Sequence, residues 1–275
     1  MLAIQGRTLE LVWPQIIKAI MEKGEEVIDQ RGSKTKELTN VVWTINDPEA
    51  SGIPEGNPLG PNALEQYKTQ FLDPELHDFV YTYGNRLNKY EIFYPILSKE
   101  KEELFKKIKE MKFPKIEKNS NLTSEEKIEK IRDKKLEEFH KVMLNGRYYF
   151  LNQVKQTIDY LKENPNTRRA IMITWKFPVD FLVEEVPCLI MVDFLIREGK
   201  LLTTAVWRSH DTMAMVPNFI ALRELSRHVA KEVGIPVGSI TIQSISAHIY
   251  FWDFEVAEKI ANNKNFTLKR GVQED

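Results

Sequence analysis

One cysteine, Cys188, serves a chain of 275 residues. An internal disulfide and a site built from several thiolates are both excluded, and such sparing use suits a reducing compartment. Charge of one sign is not in excess either. The 39 Lys and Arg face 40 Asp and Glu, giving a formal net charge of −1, which argues against a nucleic-acid partner held by bulk charge. No apolar run approaches the roughly 20 residues that cross a bilayer. The N-terminal stretch MLAIQGRTLELVWPQ is too polar and interrupted for a secretory signal. The expectation is a cytoplasmic protein with no membrane partner. No internal repeat is present.

What is there is ordinary for a globular protein: 42% hydrophobic and 29% charged residues. Residues 8–30 read as a short strand and then a helix carrying Ile16, Ile17, Ile20 and Met21. VVWTI reads as a strand, the Gly/Pro-rich residues 51–62 as a loop, and 63–72 as a helix. Residues 99–141 are crowded with Lys and Glu. Thr123 and Glu126 form a capping box there, ahead of Ile128, Ile131 and Leu136, so this stretch reads as a solvated helical excursion. Beyond residue 170, AIMITW, CLIMVDFLI and KLLTTAVW are successive strands, the last two joined by a hairpin turn at REGK. A helix carrying Ile220, Leu222, Leu225, Val229 and Val233 stops near Gly234. A strand at 239–251 and a helix at 252–262 follow. The fold class is α+β: one domain over 1–275, a mixed sheet with helices packed mainly on one face, and the excursion at about 99–141.

Polar residues gather where a buried sheet does not want them. Arg168 and Arg169 follow NPNT, Arg208-Ser209-His210-Asp211 ends a strand, Asn218 opens the long helix, and His248 and Tyr250 lie two apart on a strand and share a face. Left unpaired in an apolar interior, each such group costs roughly 2–7 kcal/mol. They therefore line a cleft or pair with one another. Cys188, preceded by Pro187 and followed by apolar β-branched residues, is either a small core hydrophobe or a nucleophile. His77, His140, His210 and His228 read as structural, and Ser246 as a strand residue.

In this order and spacing, NPNTRR, VPC, RSHD and AHIY resemble motifs of the thymidylate synthase family, over about residues 164–255. Upstream, YGNR resembles its Tyr-Gly segment at Tyr83, ALEQY supplies a candidate glutamate at Glu65, and DQRGSKT a candidate phosphate-binding arginine at Arg31. The resemblance implies a thymidylate synthase-like fold and methylation of dUMP at C5. The implied donor is a reduced pterin, either 5,10-methylenetetrahydrofolate or a modified pterin such as methylenetetrahydromethanopterin, without a metal. It implies catalytic roles for Cys188, Arg208, Asp211, Glu65 and Tyr83. Substrate binding falls to Arg31, Arg168, Arg169, Ser209, Asn218, His248 and Tyr250, with Arg168 and Arg169 donated across a homodimer in the family; a monomer stays open.

The chemistry asks for these residue types. C5 of uracil is a poor nucleophile until a thiolate adds to C6, and a thiol with an ordinary pKa near 8.5 needs positive charge beside it. Arg208 offers that charge. Arginine also grips phosphate through paired, charge-assisted hydrogen bonds, and Asn218 carries a donor and an acceptor for N3–H and O4. His248 and Tyr250 would hold the ribose hydroxyl, Glu65 would relay protons near O4, and Asp211 either meets the pterin or caps a helix. The sequence also departs from the family. Leu189 replaces the usual His after the cysteine, Ile245–Ser246 stand in place of Gly-Asp, one residue is missing between Asp211 and Asn218, and the apolar C-terminal tail is not recognisable. The Lys/Glu/Ile usage resembles the archaeal branch. Two alternatives are kept: a dCMP or dUMP hydroxymethylase, for which Asn218 is the wrong base reader on cytosine, and a non-catalytic nucleotide-binding homologue, against which the complete polar set argues.

Overall fold

The computed structural model describes residues 1–77, 79, 81–95, 146–177, 179–183 and 185–263. The charged stretch at 99–141, with its capping box and His140, and the C-terminal run 264–275 lie outside the described residues. The chain divides into two compact units, residues 1–90 with 152–275, and residues 91–151.

In the larger unit, a seven-stranded sheet is built from β1 (Leu2–Gly6), β2 (Glu25–Ile28), β3 (Lys34–Ile45), β6 (Ile171–Ile173), β7 (Leu189–Arg197), β8 (Lys200–Asp211) and β9 (Val237–Tyr250), in the order β1-β3-β9-β8-β7-β6 with β2 on β3. The β1–β3 and β8–β9 pairs are parallel and the rest antiparallel, so the sheet is mixed. The smaller unit carries a two-stranded sheet of β4 (Tyr90–Pro95) and β5 (Gly146–Leu151).

Two helices supply most of the apolar cover of the large sheet. In α1 (Leu9–Lys23), Leu9, Val12, Trp13, Ile16, Ile17 and Ile20 recur at spacings of three and four and are all fully buried. This corrects the strand expected from residue 8: the alternation Leu9, Leu11, Trp13 is overridden by a helical period that continues to Ile20, and the strand lies upstream at Leu2–Gly6. In α5 (Met215–Val233), Phe219, Leu222, Leu225 and Val229 are buried, and Gly234 ends the helix at φ 85°. The shorter helices are α2 (Pro61–Lys68), α3 (Tyr83–Asn88), α4 (Gln153–Glu163) and α6 (Phe254–Asn262). Helix α2 stops four residues before the expected 72, where turns bury Phe71 instead. The REGK hairpin forms as expected, with Glu198 at φ 52° and Gly199 at φ 69°. Among the described residues no helix is long and apolar enough to cross a membrane.

One irregularity positions the site. Along β8 the buried residues Leu201, Thr203, Ala205 and Trp207 alternate until the next one is His210. In β9 the series Ile240, Ile242, Ser244 gives way to Ala247 and Ile249, and in β7 Val192 and Phe194 give way to Leu189 across a register shift. Three neighbouring strands thus slip by one residue at the same end of the sheet. A slip of this kind re-aims side chains, and here it lies among the residues that carry the polar motifs; in β7 it coincides with the register shift at Leu189/Met191, while the β8–β9 ladder runs unshifted from Thr203 to Asp211.

Candidate active site

Cys188 lies just before β7, paired with Arg208: the Arg208 N–H donates to the Cys188 carbonyl at 2.8 Å. The Arg208 guanidinium then turns back over the same segment. Its Nε donates to the Pro187 carbonyl at 2.9 Å, its Nη2 to the Val186 carbonyl at 3.1 Å, and Nη2 stands 3.9 Å from Cys188 Sγ. The Trp175 ring lies under the guanidinium carbon at 5.9 Å. The thiol is half-buried. Burial pushes its pKa above the ordinary value, and Arg208, the Tyr83 hydroxyl and Arg31 pull it down by less. Burial thus opposes the guanidinium charge that was expected to ionise Cys188.

Three tyrosines close in on this sulfur. Tyr83 opens α3, whose first turn is capped by Thr82 Oγ1, accepting from Asn85 N–H at 3.0 Å. Gly84 is required next to it, because a Cβ there would collide with the carbonyls of Gln70 and Asp73. The Tyr83 hydroxyl accepts from the Leu189 N–H at 3.4 Å, and Tyr81 donates to the Val186 carbonyl at 3.0 Å. Burial raises the Tyr81 pKa to about 12, so it stays a donor. Tyr67 donates to Asn218 Oδ1 at 2.8 Å. Tyr67, Tyr81 and Tyr83 line a cleft of about 380 Å³ together with Gln70, Phe79, Thr82 and Glu185. Tyr67 and Tyr81 are absent from the sequence reading; the signals were the alternation of Tyr81 with Tyr83 and the position of Tyr67 two residues after Glu65.

The sheet register assembles the rest. Ser209 lies opposite Ser246, Asp211 opposite His248, and Glu37 opposite His248 from the other side. Asp211 Oδ1 accepts from Met213 N–H at 3.0 Å, so the residue does cap the turn, and burial pushes its carboxyl up to about 6. His248 is buried and its pKa is lowered by that burial; its Nδ1 lies 3.4 Å from Ser246 Oγ, whose hydroxyl donates to Glu37 at 2.6 Å. Tyr250 meets His248 edge-on at 5.1 Å and stacks on Trp252 at 4.4 Å. Asn218 is 6% exposed and is held between Tyr67 and His210.

Arg31 reaches this region from the loop between β2 and β3, where its Nη2 pairs with Glu185 at 2.7 Å, three residues before Cys188. Glu65 does not join the group. It lies on the solvent side of α2 with its side chain 74% exposed and pairs with Lys68 at 3.1 Å; the helical rotation that brings Tyr67 to the cleft turns Glu65 away. Arg168 and Arg169 are exposed and line a different cleft of about 650 Å³ with Tyr160, Glu163, Asn164 and Thr167. Within one copy of the chain they are not brought to Cys188.

A further pair escaped the sequence reading. Arg86, within YGNR, forms a two-pronged ion pair with Asp180 at 2.7 and 3.1 Å, and Asp180 is fully buried. Arg86 Nη1 also donates to the Thr174 carbonyl at 3.1 Å, and Asp180 accepts from Lys176 N–H at 2.7 Å. The pair fixes the segment that runs into Cys188.

Fold, register and this polar set define the class of protein. The family model described as thymidylate synthase matches residues 75–270, and the chain belongs to the thymidylate synthase family. Members generally bind dUMP and a folate-type one-carbon donor. The chain is 35% identical over 267 residues to a protein of Methanothermobacter marburgensis, covering 91% of this chain and 94% of the relative. It is 30% identical over 264 residues to one of Methanosarcina barkeri, covering 95% of each. To one of Methanocaldococcus jannaschii it is 30% identical over 266 residues, covering 94% and 96%. Each of the three is named "Putative thymidylate synthase".

Proposed function

We propose that this protein methylates C5 of dUMP to give dTMP, with a methylene-tetrahydropterin as donor and Cys188 as covalent nucleophile. The observation that carries the reading is the Arg208 guanidinium, 3.9 Å from the sulfur and anchored on the two carbonyls before it, beside a tyrosine-lined cleft. Cys188 Sγ passes its proton to solvent in the open cleft and adds to C6, and the displaced electron pair moves onto O4 as an enolate, which makes C5 nucleophilic. After the one-carbon unit has joined C5, the C5 proton passes to solvent and the bond from that carbon to the donor nitrogen breaks; hydride addition to the resulting exocyclic methylene then expels Sγ from C6, and the released thiolate takes a proton from solvent. The donor, when bound, supplies the methylene carbon and the hydride that reduces it to methyl. Arg208 and Ser209, with Arg31 released from Glu185, are the phosphate ligands; Asn218 reads the base; His248 and Tyr250 hold the ribose. The tyrosine hydroxyls beside Sγ supply donors where charge develops, and Tyr83 is the nearest proton-transfer group.

Asp211 fits the pterin. Its partly buried carboxyl is pushed up to about 6 and keeps one oxygen beyond the Met213 N–H for a donor on the heterocycle. Whether that heterocycle is the folate or the methanopterin form is decided by offering both and following dTMP. The exposed Arg168–Arg169 cleft suits donation to the phosphate of a second copy, in an isologous dimer. A product assay tests the reading: dTMP formation from dUMP supports it, and hydroxymethyl product in place of dTMP contradicts it.

A further inference from the structure

His210, which the sequence leaves as a structural histidine, stands at the centre of a buried chain of polar contacts. Its Nδ1 lies 2.9 Å from Ser244 Oγ and its Nε2 3.3 Å from Asn218 Nδ2, while Asn218 Oδ1 accepts the Tyr67 hydroxyl at 2.8 Å. The ring is 1% exposed, lies flat on Trp207 at 4.7 Å with an interplanar angle of 9°, and has Trp43 at 6.4 Å. Its plane is therefore fixed by packing. Burial pushes its pKa down to about 3, so the imidazole is neutral, with one donor and one acceptor nitrogen.

We infer that His210 and Tyr67 are positioning residues that lock the orientation of the Asn218 amide and thereby set the preference for uracil over cytosine. The inference rests on the reading of Asn218 as the base reader. With Nε2 accepting from the Asn218 amide and Nδ1–H donating to Ser244, Asn218 is left with one free N–H and one free lone pair on Oδ1. Uracil presents N3–H and O4, which match that pair. Cytosine presents the reverse, an acceptor at N3 and a donor at N4, and would match only a flipped amide. Flipping puts Oδ1 against the Nε2 lone pair. It also requires the other tautomer of a fully buried ring and a reversed Tyr67 hydroxyl. An unlocked amide would turn to suit either base, since its two ends are nearly the same size.

The test measures dissociation constants and kcat/KM for dUMP and dCMP in the full-length protein, for wild type, Tyr67→Phe, His210→Phe and His210→Gln. His210→Phe keeps the stacked ring and removes both nitrogens; His210→Gln restores an acceptor; Tyr67→Phe deletes one hydroxyl at the cleft wall. Loss of one buried hydrogen bond predicts that Tyr67→Phe and His210→Phe each lower the dUMP-to-dCMP ratio by roughly tenfold or more, while His210→Gln recovers most of it. Thermal melting reports folding, and because the ratio is internal to each variant, partial unfolding does not move it. Should His210→Phe not fold, Tyr67→Phe decides alone. A ratio within twofold of wild type in folded variants that still bind dUMP overturns the lock and leaves the proposed function standing. Failure of the wild-type protein to bind dUMP overturns both.

Discussion

The guanidinium of Arg208 grips the backbone on either side of Pro187 while one of its nitrogens stands 3.9 Å from Cys188 Sγ. Shape and charge are thus supplied by the same group, and they can be separated by substitution. Arg208→Lys keeps the charge but cannot span both carbonyls. Two charge-assisted hydrogen bonds are weakened, each worth about 1.5–3 kcal/mol, so kcat should fall by roughly a hundredfold or more. Steady-state kinetics on dUMP checks this, and a lysine variant within threefold of wild type would show that the fork is dispensable.

Thiol reactivity follows from the balance at Cys188. Burial raises the pKa above the ordinary thiol value and Arg208 opposes it, so the rate of alkylation by iodoacetamide should climb only above the pH at which a free cysteine reacts. Arg208→Gln removes the opposing charge and should move the midpoint higher still. A midpoint below that of free cysteine, in either protein, contradicts this account of the site.

Asp211 couples pH to stability. Its carboxyl titrates at about 6 when folded, raised from 3.8 mainly by burial. The contribution is therefore fully present below the unfolded value and is lost as pH rises through about 6, amounting to about 2 kcal/mol after allowance for partial exposure. Asp211→Asn keeps a capping oxygen and removes the ionisation. Urea melts should show the variant gaining on wild type at pH 8 but not at pH 4, while the pterin KM worsens.

The Arg86–Asp180 pair should behave as a buried ion pair does. Asp180→Ala leaves a buried guanidinium without its carboxylate and should cost about 3–5 kcal/mol, whereas Arg86→Met with Asp180→Leu should cost less than the single change. Chemical denaturation of both variants, read as a double-mutant cycle, measures the difference; equal costs would show that the pair is not coupled.

The arginine pair in the second cleft carries a test of assembly. Arg169→Ala and Cys188→Ala subunits should each be inactive alone and should regain roughly a quarter of wild-type activity when mixed, because a mixed dimer holds one intact site. No recovery after subunit exchange would place the phosphate contacts of the site within one chain.

What the sequence disclosed divides along physical lines. The placement of Arg208, Asp211 and His248 was legible because they sit on strands, and that of Cys188 because it directly precedes one; there a period of two and a ladder register turn sequence spacing into neighbourhood. The one-residue slip at residues 190, 208–209 and 245–246 was not legible, since in β8 and β9 the polar residues Ser209, His210, Ser244 and Ser246 stand where the buried face shifts and hide the break. Glu65 and Tyr67 sit two apart on one helix, about 200° around its axis, and only packing decides which faces the cleft. Tyr67 meets Asn218 across 151 residues and Arg86 meets Asp180 across 94. Such contacts are products of the fold, and a single sequence carries no periodicity that announces them.

The central claim is that Cys188 bonds to C6 of the pyrimidine. Incubation of the full-length protein with 5-fluoro-dUMP and a methylene-tetrahydropterin, followed by intact-mass measurement, tests it directly, because fluorine at C5 cannot leave as the proton does and the adduct accumulates. The account predicts a mass increase of one nucleotide plus one donor, mapped by peptide analysis to Cys188 and absent in Cys188→Ser. Bound analogue with no covalent mass in the wild-type protein, under conditions in which dTMP is formed from dUMP, would contradict it.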